Sequence, residues 1–293
     1  MSERALLEPG ALPRVAPVLQ LSFSMRLQKV GLNPTLLAGL GLLALVILVA
    51  IGAPLLTTYD PIVQKLDEAF QPPLSPAHIL GTDNFGRDIW SRILYSTRLD
   101  LQIGLISVVF PFVFGSLVGI ATGYLGGWLD TLWMRIVDVL MAFPFIILVV
   151  AIMNILGPGL INLYIAVWLV GWVPYARIAR GETLATRNLE YVQAARTIGC
   201  TTQRIMLRHV LPNVIAPGLV YVFTGMVLAI LTGATLSYLG LGPQPPTPEW
   251  GAMIASGRQF LAVAWWMTAL PGFALLVVGV ALSLIGDGLA DKR

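Results

Sequence analysis

The side chains able to do chemistry in this 293-residue chain collect in a few short runs. The densest reads His78-Ile-Leu-Gly81-Thr82-Asp83-Asn-Phe-Gly86-Arg87-Asp88-Ile-Trp-Ser91-Arg92. Its acids and bases stand four apart. A helix beginning near Asp83 would therefore stack Asp83 over Arg87 and Asp88 over Arg92 as ion pairs, each worth about 0.3 to 0.5 kcal/mol when exposed. The simpler reading is a solvated helix on a membrane surface; the sharper one is a contact with the charges of a bound solute. Equipment for catalysis is missing. None of Lys29, Lys65 and Lys292 follows a glycine, so no phosphate-cradling loop ends in Gly-Lys-Ser/Thr. His78 and His209 are far apart and neither opens a His-Glu-x-x-His helix. No serine has a glycine two residues before it, which removes the nucleophile elbow. No catalytic residue and no metal site is expected, and Cys200, alone, forms no internal disulfide.

Composition dictates the scaffold that holds these runs. Hydrophobic residues make up 57% and charged ones 11%, with a mean hydropathy of +0.81, against about 25% charged in a soluble domain. A soluble enzyme is excluded. The net charge of +3 and pI near 9.2 do not point to nucleic acid, because the basic residues flank apolar runs, where they anchor and orient. Five stretches lack acid and base: 30–59, 101–129, 139–176, 209–248 and 259–286. The third is divided by Gly157-Pro158-Gly159, a turn signal. About 20 apolar residues cross a bilayer, so six spans are predicted at 35–56, 101–124, 136–156, 160–178, 214–237 and 265–286. Lipid demands helices or closed barrels, and runs such as Leu42–Ile51 lack the alternation of a barrel strand. The fold class is all-α membrane protein. With both termini in the cytosol, most Lys and Arg lie inside, while Lys65, Arg87, Arg92, Arg98 and Arg258 lie outside.

This organisation gives a cytoplasmic tail over 1–34 with an amphipathic stretch near 18–30, a first transmembrane helix over 35–56, a periplasmic segment over 57–98 and a transmembrane domain over 97–287. The domain carries a cytoplasmic loop, 179–213, and a periplasmic loop, 238–264. Gly115, Gly119 and Gly123 recur every four residues, as do Gly225, Ala229 and Gly233. Small faces let helices approach closely in lipid, and packing within the chain is the expectation over an interface with a second subunit. Pro111, Pro144, Pro174, Pro217 and Pro271 fall in or at the ends of five spans and permit kinks. Asp138 stands three residues after Arg135, near enough in a helix to pair with it.

The cytoplasmic loop reads as a short helix, a break at Gly199 and a second short helix ended by Pro212. Val192, Ala195 and Ile198 recur at intervals of three and give the first helix one apolar side. Physics alone suggests an amphipathic connector on the inner membrane surface. The pattern Ala194-Ala195, three residues, Gly199, nine residues, then two before Leu211-Pro212 resembles the EAA loop of ABC importer permeases. That resemblance implies a coupling element seated on a separate ATP-binding subunit. Gln193 stands where the pattern has glutamate and His209 where it has isoleucine; Glu190, about one turn earlier, supplies a nearby carboxylate.

Gly81-Thr82-Asp83, Gly86-Arg87-Asp88 and Ser91-Arg92 resemble the opening motif of the second permease of peptide and nickel importers. Gly123-Tyr-Leu-Gly-Gly127, Met134-Arg135 with Asp138, Gly240-Leu-Gly242 with Gln244–Gly251, and Gly286-Asp-Gly-Leu289 continue the likeness over about 78–290. It is closest to the dipeptide permease C type. The resemblance implies a type I ABC importer transmembrane fold and a multi-pass protein of the bacterial inner membrane, translocating solute without an ATPase site of its own. It implies as partners a homologous second permease forming a heterodimeric pore, two ATP-binding subunits that hold ATP and Mg, and a periplasmic or lipid-anchored solute-binding protein. Similar permeases serve dipeptides, oligopeptides, glutathione or nickel; peptide is expected because nothing in the chain resembles a cluster of metal ligands. The alternatives are an ATP-independent carrier, which no file of buried charges supports, and a membrane scaffold that carries no solute.

Overall fold

The computed structural model describes residues 33–291, and the tail expected over 1–34, with its amphipathic stretch, lies almost wholly outside them. Helices follow one another through the described residues: α1 Pro34–Leu56, α2 Ile89–Leu125, α3 Gly127–Met141, α4 Phe145–Leu156, α5 Leu160–Thr186, α6 Glu190–Thr197, α7 Thr202–Ile205, α8 Leu211–Tyr238, α9 Trp250–Gly257 and α10 Trp266–Ala290. A π-helical turn, Met206–Val210, joins α7 to α8. Five helices are long and apolar enough to cross a membrane, and the bent pair α3–α4 makes up to six.

Local chemistry sets the ends. Asn33 accepts from the Thr35 amide at 2.9 Å and Pro34 opens α1, a cap and a first residue suited to a helix start. Pro54 lies inside α1 and has no N–H for the Ala50 carbonyl. That oxygen instead accepts from Arg98 Nε at 2.6 Å, and the Ile51 carbonyl from the same guanidinium at 3.0 Å. The span expected over 136–156 is two helices meeting at 89°. Pro144 is the reason: it starts α4 in extended geometry and disfavours helix in the residue before it.

The predicted span over 101–124 begins earlier, at Ile89. The first turns of α2 carry Arg92, Arg98 and Asp100, charges that a search for apolar runs discards: Arg92 is buried against Pro61 and Asp100 against Trp250, while Arg98, exposed, is held by the α1 carbonyls.

α2 and α5 form the centre. A Cβ at Gly115 or Gly119 would fall on the carbonyl oxygens of Trp172 or Ala176, and one at Gly123 would lie 2.9 Å from Thr183 Cβ. The three glycines thus let two backbones touch, the packing that lipid-immersed helices rely on. On α8, Gly233 abuts Ile103 and Ala229 is buried, while Gly225 faces the Tyr175 hydroxyl. α1 packs on α10 where Gly39 meets Leu284 and Ile285, and Gly288 meets Leu36. Leu48, Leu55, Val139, Ile155 and Phe273 stay exposed, an apolar exterior suited to lipid.

Candidate functional site: a buried cap and a jointed elbow

The charged run from 78 to 92 is buried, which corrects the expectation of a solvated surface helix. Asp83, Arg87, Asp88 and Arg92 are 3%, 6%, 3% and 4% exposed. Asp83 lies before the helix, in a turn. Its Oδ1 accepts from the amides of Phe85 (2.8 Å) and Arg87 (3.0 Å), and its Oδ2 from Arg87 Nε at 2.6 Å. The expected Asp83–Arg87 pair therefore forms, though across a turn.

Asp88–Arg92 does not form. Asp88 is the N-cap of α2, and its Oδ2 accepts from the amide and hydroxyl of Ser91 at 2.7 and 2.8 Å. A cap of this kind contributes about 1 kcal/mol. Arg92, one turn into the helix, reaches back toward its N-terminus, with Nε 3.7 Å from Asp83 and a donor 2.8 Å from the Pro61 carbonyl. A buried ion pair needs partners for its remaining donors as well, and Arg92 finds one in the Pro61 carbonyl.

The rest of the motif ties the cap to the bundle. His78 bridges Asp88 Oδ1 (2.8 Å) and Glu68 Oε2 (3.1 Å). The hydrogen bond from His78, then that from Lys65, holds the Glu68 carboxyl below its ordinary value. Thr82 accepts from the Gln71 amide with its hydroxyl, and its carbonyl accepts from Trp266 Nε1 at 3.0 Å. Gly81 accepts from the Ile89 amide at 3.0 Å. Gly86, at φ +69°, sits where a Cβ would overlap the Lys65 carbonyl. All eight motif residues are thus architectural in this geometry, and none offers a charge to solvent.

At the opposite end of the helices, where a cytoplasmic loop is predicted, α6 and α7 make an elbow. Gly199 turns it at φ +82° with open space around it. Val192, Ala195, Ile205 and Val210 pack with Ile120 and Tyr124 of α2, Ala179 of α5 and Val214 of α8. Arg196 donates to Tyr124 Oη at 3.2 Å, Gln193 to the Arg187 carbonyl at 2.9 Å, and Asn213 to Tyr191 Oη at 3.0 Å. Glu190 and Ala194 are exposed.

Two details of the expected elbow change. Ile198 leaves the apolar side: α6 ends at Thr197, so Ile198 caps it and stands 80% exposed. Pro212 does not end the second helix. It lies within the first two positions of α8, and the Leu211 amide donates to the Met206 carbonyl, five residues back. The proline ring cannot sit against a normal α turn, and the wider π turn before it lets the helix continue from elbow to membrane. Leu211 is partly buried there and Pro212 exposed.

Two pairings escape a linear reading. Arg180 clasps Asp130 with two bonds of 2.6 and 2.7 Å, joining α3 to α5. In the sequence these are single charges at opposite ends of apolar runs. The expected Asp138–Arg135 pair is not among the ion pairs of the described residues. At the outer end, Glu249 is fully buried and caps α9 through the Gly251 and Ala252 amides, and Asp100 accepts from the Trp250 amide at 3.3 Å. In the sequence Glu249 lies eleven residues past the start of the 238–264 loop, and no local pattern brings it to Asp100 of α2. Among the described residues, no group of three His, Cys, Asp or Glu side chains could hold a metal ion.

Membrane-length helices around a close-packed pair, with a buried cap at one end and a jointed elbow at the other, define a multi-pass membrane protein. Residues 115–292 match the family described as binding-protein-dependent transport system inner membrane component, and residues 32–73 match the N-terminal transmembrane domain of oligopeptide transport permease C. The chain is 42% identical to the dipeptide transport system permease protein DppC of Alkalihalophilus pseudofirmus, over 88% of this chain and 85% of that one. It is also 42% identical to the glutathione transport system permease protein GsiD of Pectobacterium atrosepticum, over 74% and 72%. A chain of the MetNI methionine ABC transporter, solved in inward-facing conformations, superposes with a TM-score of 0.55 at 20% identity, covering 70% of this chain and 97% of that one. The protein belongs to the inner-membrane components of binding-protein-dependent transport systems, has the type I ABC importer transmembrane fold and is a multi-pass inner-membrane protein.

Proposed function

We propose that this chain is the pore-forming subunit of an ATP-driven importer of dipeptides or oligopeptides, and that loop 179–213 couples it to separate ATP-binding subunits. The observation that carries the reading is the two-faced elbow. One face is packed against three membrane helices, so displacement of α6 moves α2, α5 and α8 together. The other leaves Tyr191, Ala194, Ile198 and Leu207 uncovered, apolar surface in a loop that a water-facing connector would not expose. The continuous π-to-α8 connection carries the same movement into the membrane.

The partners in this reading are a second, homologous permease, two ATP-binding subunits with ATP and Mg, and an external solute-binding protein. The name of the DppC relative supports a dipeptide as solute, and that of the GsiD relative supports glutathione as the second candidate. The test is labelled dipeptide uptake into proteoliposomes. Uptake is expected only when the ATP-binding subunits, second permease, binding protein and ATP are all present. Ion-gradient-driven uptake by this chain alone would refute the proposal.

A further inference from the structure

A cavity of about 230 Å³ lies between α2, α5 and α8, with Phe145 of α4 at its edge. Ser107 and Tyr175, 0% and 3% exposed, contribute hydroxyls to its wall, and neither hydroxyl has a hydrogen-bond partner. Pro111, also in the wall, has no N–H for the carbonyl four residues back, which is that of Ser107. Two unpartnered hydroxyls and a released carbonyl therefore belong to one small chamber, where buried polar groups are otherwise almost always paired. Glycines make the room: a Cβ at Gly225 would collide with the Tyr175 hydroxyl.

The chamber contains no charged side chain. Its other walls are aliphatic and aromatic, with Tyr175 and Tyr221 packed edge to face at 5.1 Å. Such a site cannot offset the desolvation of an ammonium or a carboxylate, but it suits a neutral group that both donates and accepts hydrogen bonds. It is also reachable. Phe145 and Leu228 line it and are themselves 37% and 49% exposed, so it opens on a surface this chain leaves uncovered, beside the 89° bend.

We infer that this chamber is a specificity pocket that takes an uncharged, hydrogen-bonding side chain of the peptide in transit, with Ser107 and Tyr175 as its polar contacts. The inference rests on the peptide-import reading above. Two nearly isosteric solutes, Ala-Asn and Ala-Leu, separate hydrogen bonding from size. Uptake of each is measured with the complete reconstituted transporter, and the ratio of the two is compared between variants, so that the preference of the binding protein cancels.

Replacing both Ser107→Ala and Tyr175→Phe is expected to lower the Asn-to-Leu uptake ratio about fivefold to tenfold, the value of one or two hydrogen bonds. Gly171→Ala guards against a folding defect, because its Cβ would meet Pro111 Cγ at an ordinary 3.5 Å. It narrows the chamber and is expected to slow both peptides severalfold relative to Gly-Gly. An unchanged Asn-to-Leu ratio in the double variant, or uptake of both peptides by Gly171→Ala unchanged relative to Gly-Gly, would overturn the inference and leave the chamber to permanent water or a lipid chain. A wild-type complex that imports another solute and none of these peptides would overturn the import reading itself, and this is seen before any variant is made.

Discussion

Gly199 gives the sharpest test of the elbow because its surroundings isolate one effect. Nothing lies within 4 Å of a Cβ built there, and its φ is +82°. A substitution thus meets no steric neighbour and pays only backbone strain. In that region of conformational space alanine costs about 1 kcal/mol and a β-branched valine about 2 kcal/mol, while asparagine is tolerated. Free energies of that size change a two-state population by roughly 5-fold to 30-fold. The fraction of elbows in the native shape should fall accordingly in Gly199→Ala and then Gly199→Val, and recover in Gly199→Asn. The assay is peptide-stimulated ATP hydrolysis by the assembled transporter at matched subunit content. Stimulation is expected to rank Gly and Asn above Ala, and Ala above Val. An asparagine variant as damaged as the valine one, or a valine variant with full stimulation, would refute the argument that the turn's geometry matters.

Other outcomes follow from the same contacts. Gly119→Ala places a methyl on the Ala176 carbonyl, so it is expected to cost about 1 to 3 kcal/mol and lower the thermal midpoint of the purified chain, whereas Gly181→Ala, with nothing near its Cβ, should not. Asp88→Ala removes the cap of α2 and the His78 partner. A loss of about 1 to 3 kcal/mol should appear as faster proteolysis of the 57–88 segment in detergent. Glu68 has its carboxyl depressed by His78 and Lys65. A depressed acid contributes stability above its unfolded value, 4.5, and loses it as pH falls through the folded value. Protease resistance of the cap should therefore drop below about pH 4.5, and Glu68→Gln should flatten that part of the profile.

Composition and apolar run length were enough to reveal a helical membrane protein with five or up to six apolar crossings, since lipid leaves a chain few options. The 89° bend was harder to see. Pro144 was visible inside the predicted 136–156 span, but a proline permits a kink without setting its angle. The outer motif was found by its residue types and misread in environment: spacing of four suggests a helix, whereas Asp88 gains more by capping α2 than by pairing with Arg92. Ile198 fits a three-residue rhythm only while the helix lasts, and α6 ends one residue too soon. The Asp130–Arg180 clasp joins residues whose proximity depends on α3 folding back along α5, which no local pattern encodes. The elbow's break at Gly199 was legible because a positive φ leaves glycine as its residue of choice.

The central claim is that the uncovered face of the elbow meets a separate ATP-binding subunit in the cytosol. Ile198→Cys, in a Cys200→Ser background, places a thiol on that face in the assembled transporter. A short thiol-to-amine cross-linker should join this chain to an ATP-binding subunit, with a yield that changes when ATP is added. Labelling of the same thiol from outside intact cells, or an intact and active assembly with no cross-link to any ATP-binding subunit, would contradict the account.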